Sequence, residues 1–169
     1  VTICTQNRAC LFGEVVDGEM RLNEYGTFVE QCWLAIPRHF PHVELDLFVV
    51  MPNHVHGIVV IASTNVGARH AVGARHAVPL RTEQFGKPIS GSIPTVMRSF
   101  KSATTRQINV VRGTPGAPVW QRNYYEHIIR DEQSLNRMRQ YILDNPMRWG
   151  MDRDNPDAVQ PEPEAAWRA

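Results

Sequence analysis

The chain has only three cysteines, Cys4, Cys10 and Cys32, with no C-x-x-C spacing among them. An odd, scattered set argues against a disulfide framework or a zinc ribbon and favours a reduced, cytoplasmic protein. Long hydrophobic runs are missing too. None approaches the roughly 18 apolar residues that a membrane helix needs, so no membrane partner is expected. No signal-peptide pattern opens the chain, and a start at Val1 instead of methionine is compatible with residues upstream. Charge of one sign is also scarce overall, at a net +1 in 169 residues. That balance hides a segregation. Residues 1–62 carry 3 basic against 7 acidic side chains, 63–149 carry 13 against 5, and 150–169 carry 2 against 5. A basic middle between acidic ends fits a local polyanion surface, or simply a solvated basic face.

The length suits one domain with a real core. Val1 to Thr5 reads as a strand, and Leu11–Val16 with Glu19–Leu22 as a hairpin around the Asp17-Gly18 turn pair. Asn23 can cap a helix carrying Tyr25, Phe28, Val29, Cys32, Trp33 and Ile36 at helical spacing, brought to an end by Pro37 and Pro41. Two apolar strands follow, Leu45–Met51 and Val55–Ala62. A second helix is predicted over Ile93–Val110. Short extended stretches follow at Val119-Trp120 and Tyr124–Ile129, then a third helix from an Asp131 cap to about Asp144, ended near Asn145 by Pro146. The order points to an α+β fold, an antiparallel sheet packed with helices. We expect one catalytic domain over 1–150 with a flexible loop at about 63–90, where Val66-Gly-Ala-Arg-His-Ala repeats at Val72. Residues 151–169 read as an acidic, proline-containing, disordered tail. His70 and His76, six apart in the repeat, are poor metal-ligand candidates.

The chemistry is concentrated at Met51-Pro-Asn-His-Val-His-Gly57. On a strand, alternate side chains share a face, so His54 and His56 project together while Val55 points the other way. On the third helix, Leu135, Met138 and Ile142 form the apolar stripe. Tyr141 and Asn145, at i and i+4, lie about 6 Å apart on a neighbouring face. Each feature alone has an ordinary reading, a half-buried phenol or a helix-ending amide. Together they suggest a divalent metal held by His54, His56 and the Asn145 amide, with Tyr141 poised to attack a phosphorus. Two imidazoles and an amide oxygen suit Mg²⁺ or Mn²⁺. Zinc would more usually recruit a cysteine, and the sequence places none beside the pair.

At these residues the chain resembles the single-tyrosine HUH transposases, in particular the REP-associated tyrosine transposases. Three segments carry the resemblance: Met51-Pro-Asn-His-Val-His, Trp120-Gln-Arg-Asn-Tyr-Tyr-Glu-His-Ile-Ile-Arg-Asp-Glu and Tyr141-Ile-Leu-Asp-Asn-Pro. It covers about residues 1–62 and 92–150. The resemblance implies a ferredoxin-like sheet with helices and a divalent cation on His54 and His56. It further implies that Asn145, four after the tyrosine, completes the metal site and that Tyr141 is the nucleophile. The implied reaction cuts single-stranded DNA beside hairpins through a 5′-phosphotyrosine, leaves a free 3′-OH, and rejoins strands by the reverse attack. A homodimer is compatible with it. The loop at 63–90 and the start at Val1 depart from the pattern.

Arg98, Lys101, Arg106, Arg122, Arg130 and Arg137 are candidates to follow the DNA backbone, with Arg139 beside them. Trp120 could offer a stacking platform, although a core tryptophan is the simpler assignment. Tyr25 reads as core, Tyr124 and Tyr125 as packing or stacking residues, and His127 as structural. Two other functions fit the same residues: a metal-dependent phosphodiester hydrolase in which water attacks, and a hairpin-binding module without chemistry.

Overall fold

The computed structural model describes residues 1–62 and 91–159. The repeat-bearing stretch 63–90, with His70 and His76, and the end of the expected tail, 160–169, lie outside the described residues.

The strands are β1 (Thr2–Cys4), β2 (Gly13–Val16), β3 (Glu19–Leu22), β4 (Val43–Val50) and β5 (His54–Ile61). The helices are α1 (Glu24–Leu34), α2 (Ile36–His39), α3 (Ile93–Val111) and α4 (Glu132–Asp144). The β2–β3 hairpin turns at Asp17-Gly18, both with positive φ (53° and 79°), the conformation a two-residue hairpin turn demands. Asn23 Oδ1 accepts the Gly26 N–H at 3.0 Å and starts α1; Asp131 Oδ1 accepts the Ser134 N–H at 2.7 Å and starts α4. Pro37 does not simply stop the first helix. It sits in the first turn of α2, where its missing N–H is not needed, so the chain makes one more helical turn.

The main sheet runs β1–β5–β4, all antiparallel. On the free edge of β1 lies the segment after α3, bridged antiparallel at Thr5–Trp120 and Thr2–Tyr125. With that segment counted, the order is (119–125)–β1–β5–β4, and the connections β1–α1–β4–β5–α3–(119–125) form a split βαββαβ unit. The β2–β3 hairpin is inserted between β1 and α1. This is the expected ferredoxin-like α+β arrangement.

The two faces of the sheet have different roles. Ile3, Val50 and Val55 share one face and pack with Val29 and Trp33 of α1 and Val96, Met97, Phe100 and Ile108 of α3. Trp33 lies flat over Gly57, stacked on Phe48 at 5.8 Å and edge-on to Phe100 at 5.2 Å. A Cβ built on Gly57 would sit 2.2 Å from Trp33 Cζ2. Gly57→Ala is therefore expected to destabilise the fold by about 3 kcal/mol through overpacking of an immobile indole. A denaturant midpoint within error of wild type would show that the indole can shift.

The opposite face of the sheet holds the two histidines and is covered by α4. Ile142 is the one fully buried side chain of α4, with Leu135 and Met138 half-buried, which is the stripe the periodicity predicts. Helix α4 ends at Asp144 with Asn145 as its C-cap, the boundary expected from Pro146, but the chain goes on winding beyond it. Asn145 keeps helical dihedrals (φ −57°, ψ −42°), and the Arg148 N–H bonds to the carbonyls of Asp144 (3.1 Å) and Asn145 (3.2 Å). The winding continues into a 3₁₀ turn at Trp149–Met151. Residues 152–159, which composition assigns to the tail, are tied to the domain. Arg8 pairs with Asp154 at 3.3 Å and donates to the Arg153 carbonyl at 3.0 Å. Asn53 Nδ2 donates to the Asp154 carbonyl at 2.6 Å.

Candidate metal centre and nucleophile

The turn between β4 and β5 is the two-residue step Pro52-Asn53, closed by Met51 N–H to the His54 carbonyl at 2.8 Å. It delivers Asn53, His54 and His56 into the interior; Asn53 and His54 are fully buried and His56 is 8% exposed. Asn53 Nδ2 donates to the carbonyls of Arg8 (3.0 Å) and Asp154 (2.6 Å), so its Oδ1 is the acceptor toward His54. The His54 Nδ1–H donates to that oxygen at 2.9 Å. His54 Nε2 is thereby left as a bare lone pair. His56 Nδ1 is hydrogen-bonded to Thr2 Oγ1 at 2.8 Å, its cross-strand neighbour. Fixing one ring nitrogen so that the other is presented is the outer-shell arrangement of metal-ligating histidines.

The two presented atoms, His54 Nε2 and His56 Nε2, are buried without a hydrogen-bond partner, and so is Asn145 Oδ1. Asn145, 2% exposed, lies against His54. An orphaned buried polar atom is costly, and three in one place need an explanation. Asp152 supplies a fourth candidate. Its Oδ1 accepts the Asp154 N–H at 2.7 Å and its Oδ2 lies 3.8 Å from His54 Nε2. The ligand atoms of His54, His56 and Asp152 all fall within 4.8 Å of one another, the spacing of a set that can hold one metal ion. The residues present fit a divalent cation.

Electrostatics agree. Burial pushes the His54 pKa below its ordinary value, only partly opposed by Asp152 and Asp154. His56 is pushed well below, by burial and then by His54. Both imidazoles are neutral at physiological pH, the form that ligates. The His54–Asp152 approach is accordingly not an ion pair.

The strand register corrects one sequence inference. Cys4 stands directly across from His54, so a cysteine does adjoin the pair. Its thiol is pushed up to about 12, by burial first and by Asp154 next, and it is not in the group of ligand atoms formed by His54, His56 and Asp152. Asp152 was invisible in the sequence because its surroundings read as a solvated acidic tail. The signal available was Met151 immediately before it, an apolar residue continuing from Trp149 into the expected tail.

Tyr141 is half-buried, its ring 5.3 Å from that of His56 at an interplanar angle of 70°. The two imidazoles are 4.5 Å apart, and Trp149 lies 6.1 Å from His54 on the other side. Helix α4 is pinned beside the sheet by Arg139. Its Nε and Nη2 clasp the Asp46 carboxylate at 3.1 Å and 2.5 Å. Asp46 sits in the irregularity of β4 between Leu45 and Phe48, which turns the carboxylate toward α4. Tyr141 follows two residues after the clasp.

The Arg139 hydrogen bonds hold the Asp46 carboxyl below its usual value of 3.8. A depressed carboxyl stabilises the fold above its unfolded pKa and loses that contribution as pH falls through the folded pKa. The melting temperature of wild type is therefore expected to exceed that of Asp46→Asn by a constant margin from about pH 5 to 8, closing below about pH 4. A margin that persists to the lowest pH would assign the effect to packing.

The candidate DNA-contacting cations fall into groups. Arg98 and Lys101 lie on α3 and meet Arg122 around a cavity between α3 and residues 118–124. Arg106 is exposed further along α3. Arg130 precedes α4 and Arg137 is exposed on it, donating to Ser134 Oγ at 3.2 Å. Lys101 differs from the others because its ammonium is bonded to backbone carbonyls of 121–123. Trp120 is a core residue, 6% exposed, with Nε1 donating to Thr104 Oγ1 at 2.8 Å. Tyr25 packs against the core, and His127 is exposed.

The fold is similar to that of a solved structure of a REP-associated tyrosine transposase bound to a REP hairpin. The TM-score is 0.56, with 17% identity, over 87% of this chain and 64% of that one. The chain thus spans less than two thirds of that protein's length, and the likeness is one of fold. No family model matches. The chain is 42% identical over 154 residues to an uncharacterised protein of Haemophilus influenzae, covering 90% of this chain and 82% of the relative. It belongs to the same family as that protein. No helix among the described residues is long and apolar enough to cross a membrane.

Proposed function

We propose that the protein is a metal-dependent single-stranded DNA transesterase that cuts and rejoins DNA near hairpins through a 5′-phosphotyrosine. One observation carries the reading. Three buried, unpartnered ligand atoms, on His54, His56 and Asn145, converge beside the Asp152 carboxylate with the Tyr141 ring against His56. The fold shared with a transposase solved on a REP hairpin supports it.

His54, His56, Asn145 and Asp152 would hold the cation, and their mixed nitrogen and oxygen donors suit Mn²⁺ or Mg²⁺. When bound, the cation would neutralise charge on a phosphoryl oxygen and orient the scissile phosphate. The chain's residues do the rest. Tyr141 Oη gives up its proton and forms a bond to phosphorus as the P–O3′ bond breaks; the departing 3′ oxygen takes up a proton. Rejoining is the reverse attack by a 3′-OH. The phosphotyrosine ester conserves the bond energy, so no nucleoside triphosphate is needed. Arg139 and Asp46 keep α4, and with it Tyr141, in register with the sheet. The Tyr141 ring lies against His56 of its own chain, so cleavage in cis is expected.

The test is covalent capture. Labelled single-stranded hairpin oligonucleotides from the gene's own flanks are incubated with protein and Mn²⁺ or EDTA and resolved on a denaturing gel. A protein–DNA band that requires Mn²⁺ is expected. Cleavage without that band would transfer the reading to a hydrolase in which water attacks.

A further inference from the structure

On the side of the sheet away from the histidines, α3 and the segment 118–124 line an open cleft of about 440 Å³. That is within the roughly 300–1,000 Å³ of sites that take small ligands. Met97, Val119 and Trp120, all buried, form its floor, and Tyr124 forms a wall. Arg98 and Arg122 stand exposed at its rim, with the Ser102 hydroxyl beside them.

The walls are fixed. Lys101 Nζ donates to the carbonyls of Asn123 (2.9 Å), Gln121 (3.0 Å) and Arg122 (3.4 Å) and lies 5.6 Å from the Tyr124 ring centroid. These bonds use the ammonium's three protons and hold the 121–123 turn against α3. Tyr124 Oη is in turn bonded to Glu126 at 3.1 Å. Lys101 therefore builds the cavity, and the two arginines are left to meet a ligand. Neither guanidinium has a hydrogen-bond or ion-pair partner among the described residues.

A preformed apolar slot with an aromatic wall and a rim of two cations matches a flat ring attached to phosphate. We infer that this cavity seats one unpaired nucleotide of the DNA strand, its base against Tyr124 and its flanking phosphates on Arg98 and Arg122. The inference rests on the proposed single-stranded DNA substrate and adds a second site to it. The cavity lies across the sheet from the metal centre, so a strand occupying both passes the sheet edge formed by residues 119–125.

The probe is a short oligothymidylate carrying 5-iododeoxyuridine at one central position, bound to the full chain in EDTA so that the metal centre is silent. Irradiation is expected to crosslink it to Tyr124, mapped by mass spectrometry. Ser102→Trp fills the cavity without removing a charge, and Arg98→Ala with Arg122→Ala removes the rim. Each is expected to weaken strand binding about tenfold by fluorescence anisotropy, the worth of one stacked base. An abasic strand should bind wild type about tenfold more weakly, and Ser102→Trp protein should not distinguish the two strands. Crosslinks only at other residues would overturn the inference, as would equal affinity for both strands or unchanged binding by Ser102→Trp. Displacement of the strand by micromolar dTMP would also overturn it, by making a free nucleotide the occupant. Tyr141-dependent adduct without a Tyr124 crosslink sinks the cavity alone; a Tyr124 crosslink without adduct sinks the transesterase alone.

Discussion

Tyr141→Phe protein is expected to lose the covalent protein–DNA product by at least about a thousandfold while keeping its melting temperature and its affinity for Mn²⁺. The substitution removes one oxygen from a half-buried side chain whose ring packs edge-on against His56. Phenylalanine preserves that packing, so the ligand atoms of the centre stay where they are. What is gone is the hydroxyl proposed as the nucleophile. Under water attack the same variant would still cut DNA, slowed by whatever positioning the hydroxyl provides. The measurement is therefore made on two readouts in one gel, the adduct and the free cleaved strand. Loss of adduct with cleavage retained would refute the transesterase and leave the hydrolase. Loss of both, with Mn²⁺ binding intact, is the result the geometry favours.

The second large effect concerns Asp152. Asp152→Asn is expected to weaken Mn²⁺ binding by about 100-fold, at or beyond the upper end of what outer-shell partners contribute. The asparagine keeps an Oδ1 to accept the Asp154 N–H, so the turn that positions the side chain survives. What it lacks is the charge beside His54 Nε2. Asp152→Ala should lose the metal as well and also lower the melting temperature, because the Asp154 N–H then has no side-chain acceptor. Calorimetric titration with Mn²⁺ separates the two. If the asparagine variant binds Mn²⁺ within about threefold of wild type, Asp152 serves only the turn. His54→Ala is the reference, expected to abolish binding altogether.

Much of this site is written in short-range pattern. The strand period of two puts His54 and His56 on one face and Val55 on the other, whatever the rest of the chain does. The helical period puts Tyr141 and Asn145 together, and Asn23, Asp131 and Asp17-Gly18 announce their caps and turn because each satisfies local backbone groups. These features depend on dihedral geometry over a few residues, and the described structure keeps them all. Helix α4 ends at Asp144 with Asn145 as its cap, as Pro146 predicts, and only the conformation of Asn145 differs. Pro146 does not force it out of helical dihedrals, because the chain continues winding through hydrogen bonds to Asp144 and Asn145.

The remainder needed the chain to return on itself. Which cysteine stands beside the histidines follows from the register of β1 on β5, and periodicity carries no information about register between distant strands. Lys101 looks in sequence like any cation on a polar helix face, yet three carbonyls of a later turn take its protons. Arg139 looks like one more basic residue until the β4 irregularity brings Asp46 to it. Asp152 is the clearest case. An acidic residue among Asp, Asn and Pro reads as solvated, since composition prices it against water. The fold buries it at 6% exposure, because Asn53 and Arg8 draw residues 153 and 154 onto the domain and carry its carboxylate to His54. The sequence by itself determined the two faces and the residue types of the site; only the tertiary structure decided which charges meet there, because desolvation and long-range hydrogen bonding exist only once the chain is folded.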